Sequence, residues 1–239
     1  MALLLTVGAG LYAERLPSWM APLRDAIFEQ TLPADEVRNI YLATVAEAGR
    51  NTSGTAQLLA LSRAEHLMGQ ILLFEERERE AHVHFAEGLR LAELAVQAAP
   101  SADAWVLRAE NLAHKIQTSN WAFAMANGLD VERFARNALE LDGRHAAAQY
   151  LIAARWVFAP RPFNNFRRGI QMMEAILTDA DLEDDDLFNV TSAIGWAHIE
   201  QRNFDQARPW IVKALEVYPT NQFVTGLLET IDNRGGRRR

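Results

Sequence analysis

Apolar residues recur at helical spacing along most of the chain, with polar residues between them. The pattern is clearest in "TSAIGWAHIEQRNFDQARPWIVKALEVYP", residues 191–219. There Gly195 on a first helix is predicted to lie opposite the small Ala207 on a second, so that two antiparallel helices can approach closely. Ile211 and Ala214 continue the inward stripe at i+4 and i+3, and Pro219 ends the pair. "RNFD" reads as the turn, with Phe204 packed beneath it.

The same helix ending returns upstream as "LAVQAAP" (94–100) and "NALELDG" (137–143), with a weaker form in "GIQMMEAILTDAD". Aligned on Ala95, Ala138, Ile176 and Ala214, these units are 43, 38 and 38 residues apart. An internal period of this size predicts stacked helix pairs, none of which can bury its apolar face alone. The predicted pairs are Thr55–Glu80 with Ala81–Ala99, Asp103–Gln117 with Trp121–Leu141, Arg144–Ala159 with Phe166–Thr178, and Asp185–Arg202 with Phe204–Tyr218. A helix at Ala34–Ala48 begins the stack and one at Asn221–Asn233 caps it.

Composition supports an all-α chain: 49% of the 239 residues are hydrophobic, and glycine and proline are sparse. The net charge of −7 gives no general electrostatic footprint for nucleic acid. There is no cysteine, so disulfide and thiol chemistry are absent. The uncharged run Ala2–Ala13 is too short to span a bilayer but has the length of a signal-peptide core, with Ala9 or Ala13 before a cut. A basic region ahead of it is missing, and an ordinary apolar helix is the other reading. The expected organisation is a leader or apolar segment (1–16), one helical-repeat domain (17–233) and a basic disordered tail (234–239). The expected location is the periplasm or another exported compartment, with a cytoplasmic protein retaining residues 1–16 as the alternative.

The spacing of the last unit resembles the tetratricopeptide repeat, in which a large and a small residue, then Ala, an aromatic, Ala and Pro follow one another along about 34 residues. Ile194, Gly195, Ala207, Ile211, Ala214 and Pro219 fall on these positions, His198 stands where an aromatic is usual, and Phe204 fits the turn aromatic. The resemblance implies a right-handed α-solenoid of degenerate tetratricopeptide-type helix pairs.

Two further stretches, "HFAEGLRLAELAVQAAPSADAWVLRAENLAHKI" and "NALELDGRHAAAQYLIAARWVFAPRPFNNFRRGIQMMEAIL", narrow it. In order and spacing they are similar to the T-component of TRAP transporters, over residues 80–220. That family implies a periplasmic, non-enzymatic accessory protein of solute uptake, working with an extracytoplasmic solute-binding subunit and self-associating around a hydrophobic passage. This chain departs from the family in lacking the lipid-anchoring cysteine, and its loop "APRPFNNFRRG" stands where the family has a Gly-rich one. A general protein-interaction scaffold of tetratricopeptide type, in envelope or cytoplasm, is the alternative function.

No residue set identifies a reaction. Neither Lys115 nor Lys213 follows a glycine, as a phosphate-gripping lysine requires. The six histidines (66, 82, 84, 114, 145 and 198) include no i, i+4 pair for a helical zinc site. "DADLEDDD" has Asp184 and Val190 where a calcium loop needs Gly and Glu, and its acidic groups are expected to favour the dipole of the following helix. The carboxylates of "FEERERE" alternate with arginine as on a solvated face. No metal or cofactor is therefore expected.

In a solenoid the first helix of each pair lines the concave surface. That assigns a candidate groove to Asn189, Ser192, Trp196 and Ile199 in the last unit, and to Trp105, Glu110 and Asn111 two units earlier. The candidate occupants are a protein partner, an apolar small molecule, or a second copy of the chain. The alternative for both tryptophans is that they fill gaps between helices.

Overall fold

The helix ends follow from local capping chemistry. A computed structural model describes residues 17–179 and 182–235. Among these residues eleven helices follow one another without a strand: α1 (Ala21–Glu29), α2 (Ala34–Asn51), α3 (Gly54–Phe74), α4 (Glu78–Ala98), α5 (Ala102–Gln117), α6 (Trp121–Leu141), α7 (Ala146–Phe158), α8 (Phe166–Asp179), α9 (Asp184–Glu200), α10 (Phe204–Val217) and α11 (Gln222–Gly235). Ser101 and Asn120 cap α5 and α6 by accepting the amides of Ala104 and Phe123 at 3.1 and 2.9 Å. A capping box between Glu183 and Asp186 starts α9. The leader expected at 1–16 lies outside the described residues, as do residues 236–239 of the tail; Arg234 and Gly235 belong to α11. None of the described helices is long and apolar enough to cross a membrane.

Consecutive helices pack on one another, and so do α1, α3, α5, α7, α9 and α11 along one layer. The backbones of α4, α6, α8 and α10 pack only against their neighbours in sequence and never against each other, although the His84 ring of α4 also meets Tyr41 of α2 at 5.4 Å. The odd-numbered helices therefore form a continuous inner layer, with the even ones splayed outside it. Burial follows: 13 of the 17 residues of α9 are buried, against 3 of 14 in α10 and 3 of 21 in α6.

The pairs α3/α4 and α9/α10 are built alike. Each turns through one residue in the left-handed region, Glu76 (φ 61°) and Arg202 (φ 62°). Each closes the first helix with the same two backbone bonds. Arg77 and Asn203 donate back to Leu72 and His198, and Glu76 and Arg202 to Leu73 and Ile199. Seven residues before each left-handed residue is a glycine, Gly69 or Gly195. A methyl group on these glycines would lie 2.5 Å from Phe85 of α4 and 2.5 Å from Ile211 of α10, respectively. The nearest side chain to Gly195 is thus Ile211, while Ala207 is buried one turn earlier on α10.

This geometry resets the repeat register. Counted from the turn, Ala81 matches Ala207 and Gly88 matches Ala214. Alignment by helix endings instead pairs Ala95 with Ala214. The two registers differ by seven residues because α4 has 21 residues and α10 has 14, two helical turns fewer.

The ends of the layer meet through α1, a helix absent from the sequence-based expectation. The Phe28 ring stacks on Tyr218 at 4.6 Å and meets the edge of Phe188 of α9 at 5.4 Å. Asn221 donates to the Phe28 carbonyl at 2.9 Å, and the Gln222 amide to the Gln30 side chain at 2.8 Å. As a result, one apolar cluster runs from Met20 and Leu23 through α3 to Ile211, Val224 and Ile231.

Glycine substitutions separate packing from helix propensity. At Gly88 a methyl group would overlap the Asn111 carboxamide, 2.7 Å from its Cγ, whereas nothing lies within 4 Å of one at Gly128. Gly88→Ala is expected to lower stability by about 1–3 kcal/mol despite its better helix propensity. Gly128→Ala, in the exposed half of α6, is expected to raise it by about 0.5–1 kcal/mol. Urea midpoints of the two variants check both signs.

Candidate binding site

The inner layer carries charge where a helical array normally buries only hydrocarbon. Arg63 of α3 and Glu110 of α5 pair at 3.3 Å, each side chain 1% exposed. Facing them from the first turn of α9 are Asp185 and Asp186, both buried. Asp185 accepts a hydrogen bond from the Tyr218 hydroxyl and lies 3.9 Å from Arg24 of α1. Asp186 accepts the Glu183 amide at 3.3 Å.

Burial decides the protonation of these carboxyls. It pushes Asp185 up to about 6, although the Tyr218 hydrogen bond and the Arg24 and Arg63 charges oppose the rise. For Asp186 burial is again the largest cause, with the neighbouring carboxylates Asp185, Glu183 and Glu110 adding to it, and its pKa is pushed up to about 8. The acidic run thus does more than favour the dipole of α9: it places one carboxyl, protonated near neutral pH, inside the layer.

Beside the ion pair His66 of α3 meets the edge of His114 of α5 at 4.9 Å, and His114 stacks on Phe85 at 4.8 Å. Both imidazoles are buried. Inspection for i, i+4 spacing misses this pair, because the partners are brought together by the repeat and not by one helix. Arg63 is missed for a similar reason: within "LSRAEHLMG" it has no local signature. Among the described residues no group of three or more His, Asp and Glu is placed to hold a metal ion.

The groove residues read from the sequence fall in different surroundings. Glu110 is in the buried ion pair. Asn111 is buried too, donating to Ser62 at 3.3 Å and to the Leu107 carbonyl at 2.9 Å. Asn189, Ser192, Trp196 and Ile199 are all buried on α9, where Ser192 donates to the Asn189 carbonyl at 3.1 Å. Trp196, 8% exposed, packs on Phe158 and Phe166, 4.9 and 6.1 Å between ring centres. Trp105 is half-buried against Phe134 of α6 at 5.6 Å, with the Arg108 guanidinium over both rings. Glu110 reaches the vicinity of Asp186; the two tryptophans stay apart, each under a neighbouring helix.

Two open features lie elsewhere. Where the ends of the array meet, a cavity of about 190 Å³ is walled by Ile27, Val37, Ile71, Phe74 and Phe223, with Gln30, Gln70 and Gln222 among its polar groups. On the opposite, outer layer, α6 presents Trp121, Met125 and Leu129 to solvent, 77%, 56% and 69% exposed. These residues are spaced i, i+4, i+8 and so form one stripe. Nothing in the first three turns of α6 is buried, and no charged residue occurs from Trp121 to Leu129.

No known family model matches the chain, and no curated protein sequence is significantly similar to it.

The buried carboxyl makes stability depend on pH in a defined direction. Asp186 has a folded pKa above its unfolded value of about 4, so its stabilising contribution is complete below about pH 4 and is lost as pH rises toward 8. Asp186→Asn keeps an acceptor for the Glu183 amide and cannot ionise. Relative to wild type the variant is expected to gain about 1–3 kcal/mol between pH 5 and pH 8. Comparing the two proteins cancels contributions common to both. A difference in urea midpoint that does not change with pH contradicts this assignment.

Proposed function

We propose that the chain is a non-enzymatic binding module, an α-solenoid of degenerate tetratricopeptide-type pairs serving as an exported accessory component of a TRAP-type solute transport system. The observation that carries the binding reading is the outward stripe of Trp121, Met125 and Leu129. Three large apolar side chains on an uncharged helical face expose roughly 400 Å² if a full aromatic contributes about 150–250 Å². A contiguous patch of this size on a monomer commonly marks a docking surface, and helix faces with i, i+4 anchors suit a groove on a partner protein.

The partner class comes from the resemblance over residues 80–220, which contain α6 and most of the repeat pairs. An extracytoplasmic solute-binding subunit is the partner that the resemblance implies. The common geometry of α3/α4 and α9/α10, with glycine, left-handed turn and small residue at matching positions, supports the tetratricopeptide reading.

Trp121→Ser with Leu129→Ser tests the proposal, since both side chains are exposed and the fold is expected to lose no more than about 0.5 kcal/mol per site. Wild-type protein purified from cells that express a TRAP system is expected to bring down the solute-binding subunit. The double variant should bring down at least tenfold less. Equal capture by both proteins removes the stripe from the interface. A wild-type protein retained in the cytoplasm with no such subunit rejects the transport reading and leaves the general scaffold.

A further inference from the structure

We propose that the cavity at the meeting of the chain ends is a ligand site for a small, neutral, largely apolar molecule carrying one hydroxyl or amide group. This inference concerns α1, α2, α3 and α11 and is independent of the stripe on α6. The size comes first. A cavity of about 190 Å³ is somewhat larger than the ~150 Å³ apolar cavity that admits benzene. It therefore takes a hydrocarbon skeleton of roughly six to nine heavy atoms. Ile27, Val37 and Ile71 are buried in its wall, and the Phe74 and Phe223 rings complete the apolar surface.

The polar groups decide the chemistry. Gln30 and Gln222 hold each other at the wall: the Gln222 backbone amide donates to Gln30 Oε1 at 2.8 Å, and Gln222 Nε2 to the Gln30 carbonyl at 3.2 Å. These bonds engage one end of each carboxamide and leave the Gln30 amino group as a donor and the Gln222 oxygen as an acceptor. A group that both accepts and donates, such as a hydroxyl or an amide, satisfies the two together. Among the described residues no lysine, arginine or histidine lines the cavity, and the one charged residue in its wall is Glu75. Glu75 is itself paired with Arg77 at 2.8 Å, so a carboxylate ligand would find no cation among these lining residues to offset its desolvation.

The location gives occupancy a structural consequence. The walls come from both ends of the array, so a ligand there binds only when the ends are together. It shifts the equilibrium toward that arrangement by its differential affinity.

Benzyl alcohol, toluene and benzoate are suitable probes, titrated into the full chain by calorimetry and followed by hydrogen exchange. Benzyl alcohol is expected to bind saturably at one site, at least tenfold more tightly than benzoate, and to slow exchange in α1 and α11 together. Gln222→Ala, an exposed position, is expected to weaken benzyl alcohol about tenfold and leave toluene unchanged. Ala26→Leu, which fills the wall, should abolish binding of both; if that variant does not fold, Gln222→Ala carries the test. Non-saturable uptake, equal affinity for benzoate, or slowed exchange confined to helices that do not line the cavity overturns the proposal.

Discussion

The packing of Phe28 between the two ends of the chain is the contact on which the rest of this structure depends. A linear helical array leaves two apolar faces at its ends, and each needs a cover. Here α1 covers both at once. Its ring stacks on Tyr218 and edges onto Phe188, while its carbonyl accepts from Asn221. Aromatic pairs of this kind contribute about 0.5–1.5 kcal/mol each beyond the area they bury. Without α1, Asp185 would lose Arg24 and the cavity beside Gln30 would lose one wall.

Closure also explains why the array tolerates charge inside. Arg63 and Glu110 pair at 3.3 Å away from solvent, and desolvation offsets much of the attraction in such a pair. Its larger effect is on register. A slip of α3 past α5 would leave a buried charge without its counter-charge, which is far more costly than the pair is favourable. Asn111 acts in the same sense without charge, holding α5 to Ser62 of α3 in the space that Gly88 of α4 leaves open. Polar groups in the inner layer thus fix relative helix positions that alanine-rich surfaces alone would leave degenerate.

Most helices from α2 onward were legible in the sequence because apolar periodicity and turn residues agreed locally. The exception is the helix expected over Thr55–Glu80, which ends at Phe74 because Glu76 turns the chain in the left-handed region and α4 begins at Glu78. "NWAF" starts α6 and "EDDD" starts α9 as their patterns indicate. The helix α1 was not legible. "APLRDAIFE" is nine residues long, carries a proline, and owes its order to partners almost two hundred positions away. The repeat register was misread where helix length varies, since endings move by whole turns while Gly69 and Gly195 keep their distance from the turn. Individual site residues were harder still. His66 meets His114, and Asp186 faces Glu110, only after the pairs have stacked. The stripe of Trp121, Met125 and Leu129 has the periodicity of a core face, and only the short neighbours α5 and α7 show that nothing covers it.

Hydrogen exchange of a Phe28→Ala variant tests closure most directly. Protection is expected to fall in α1 and, to a similar degree, in α11 and the first turn of α9, while α5, α6 and α7 exchange as in wild type. Loss of protection confined to α1, with α11 unchanged, would contradict it, because the C-terminal helices would then be stable without the N-terminal contact.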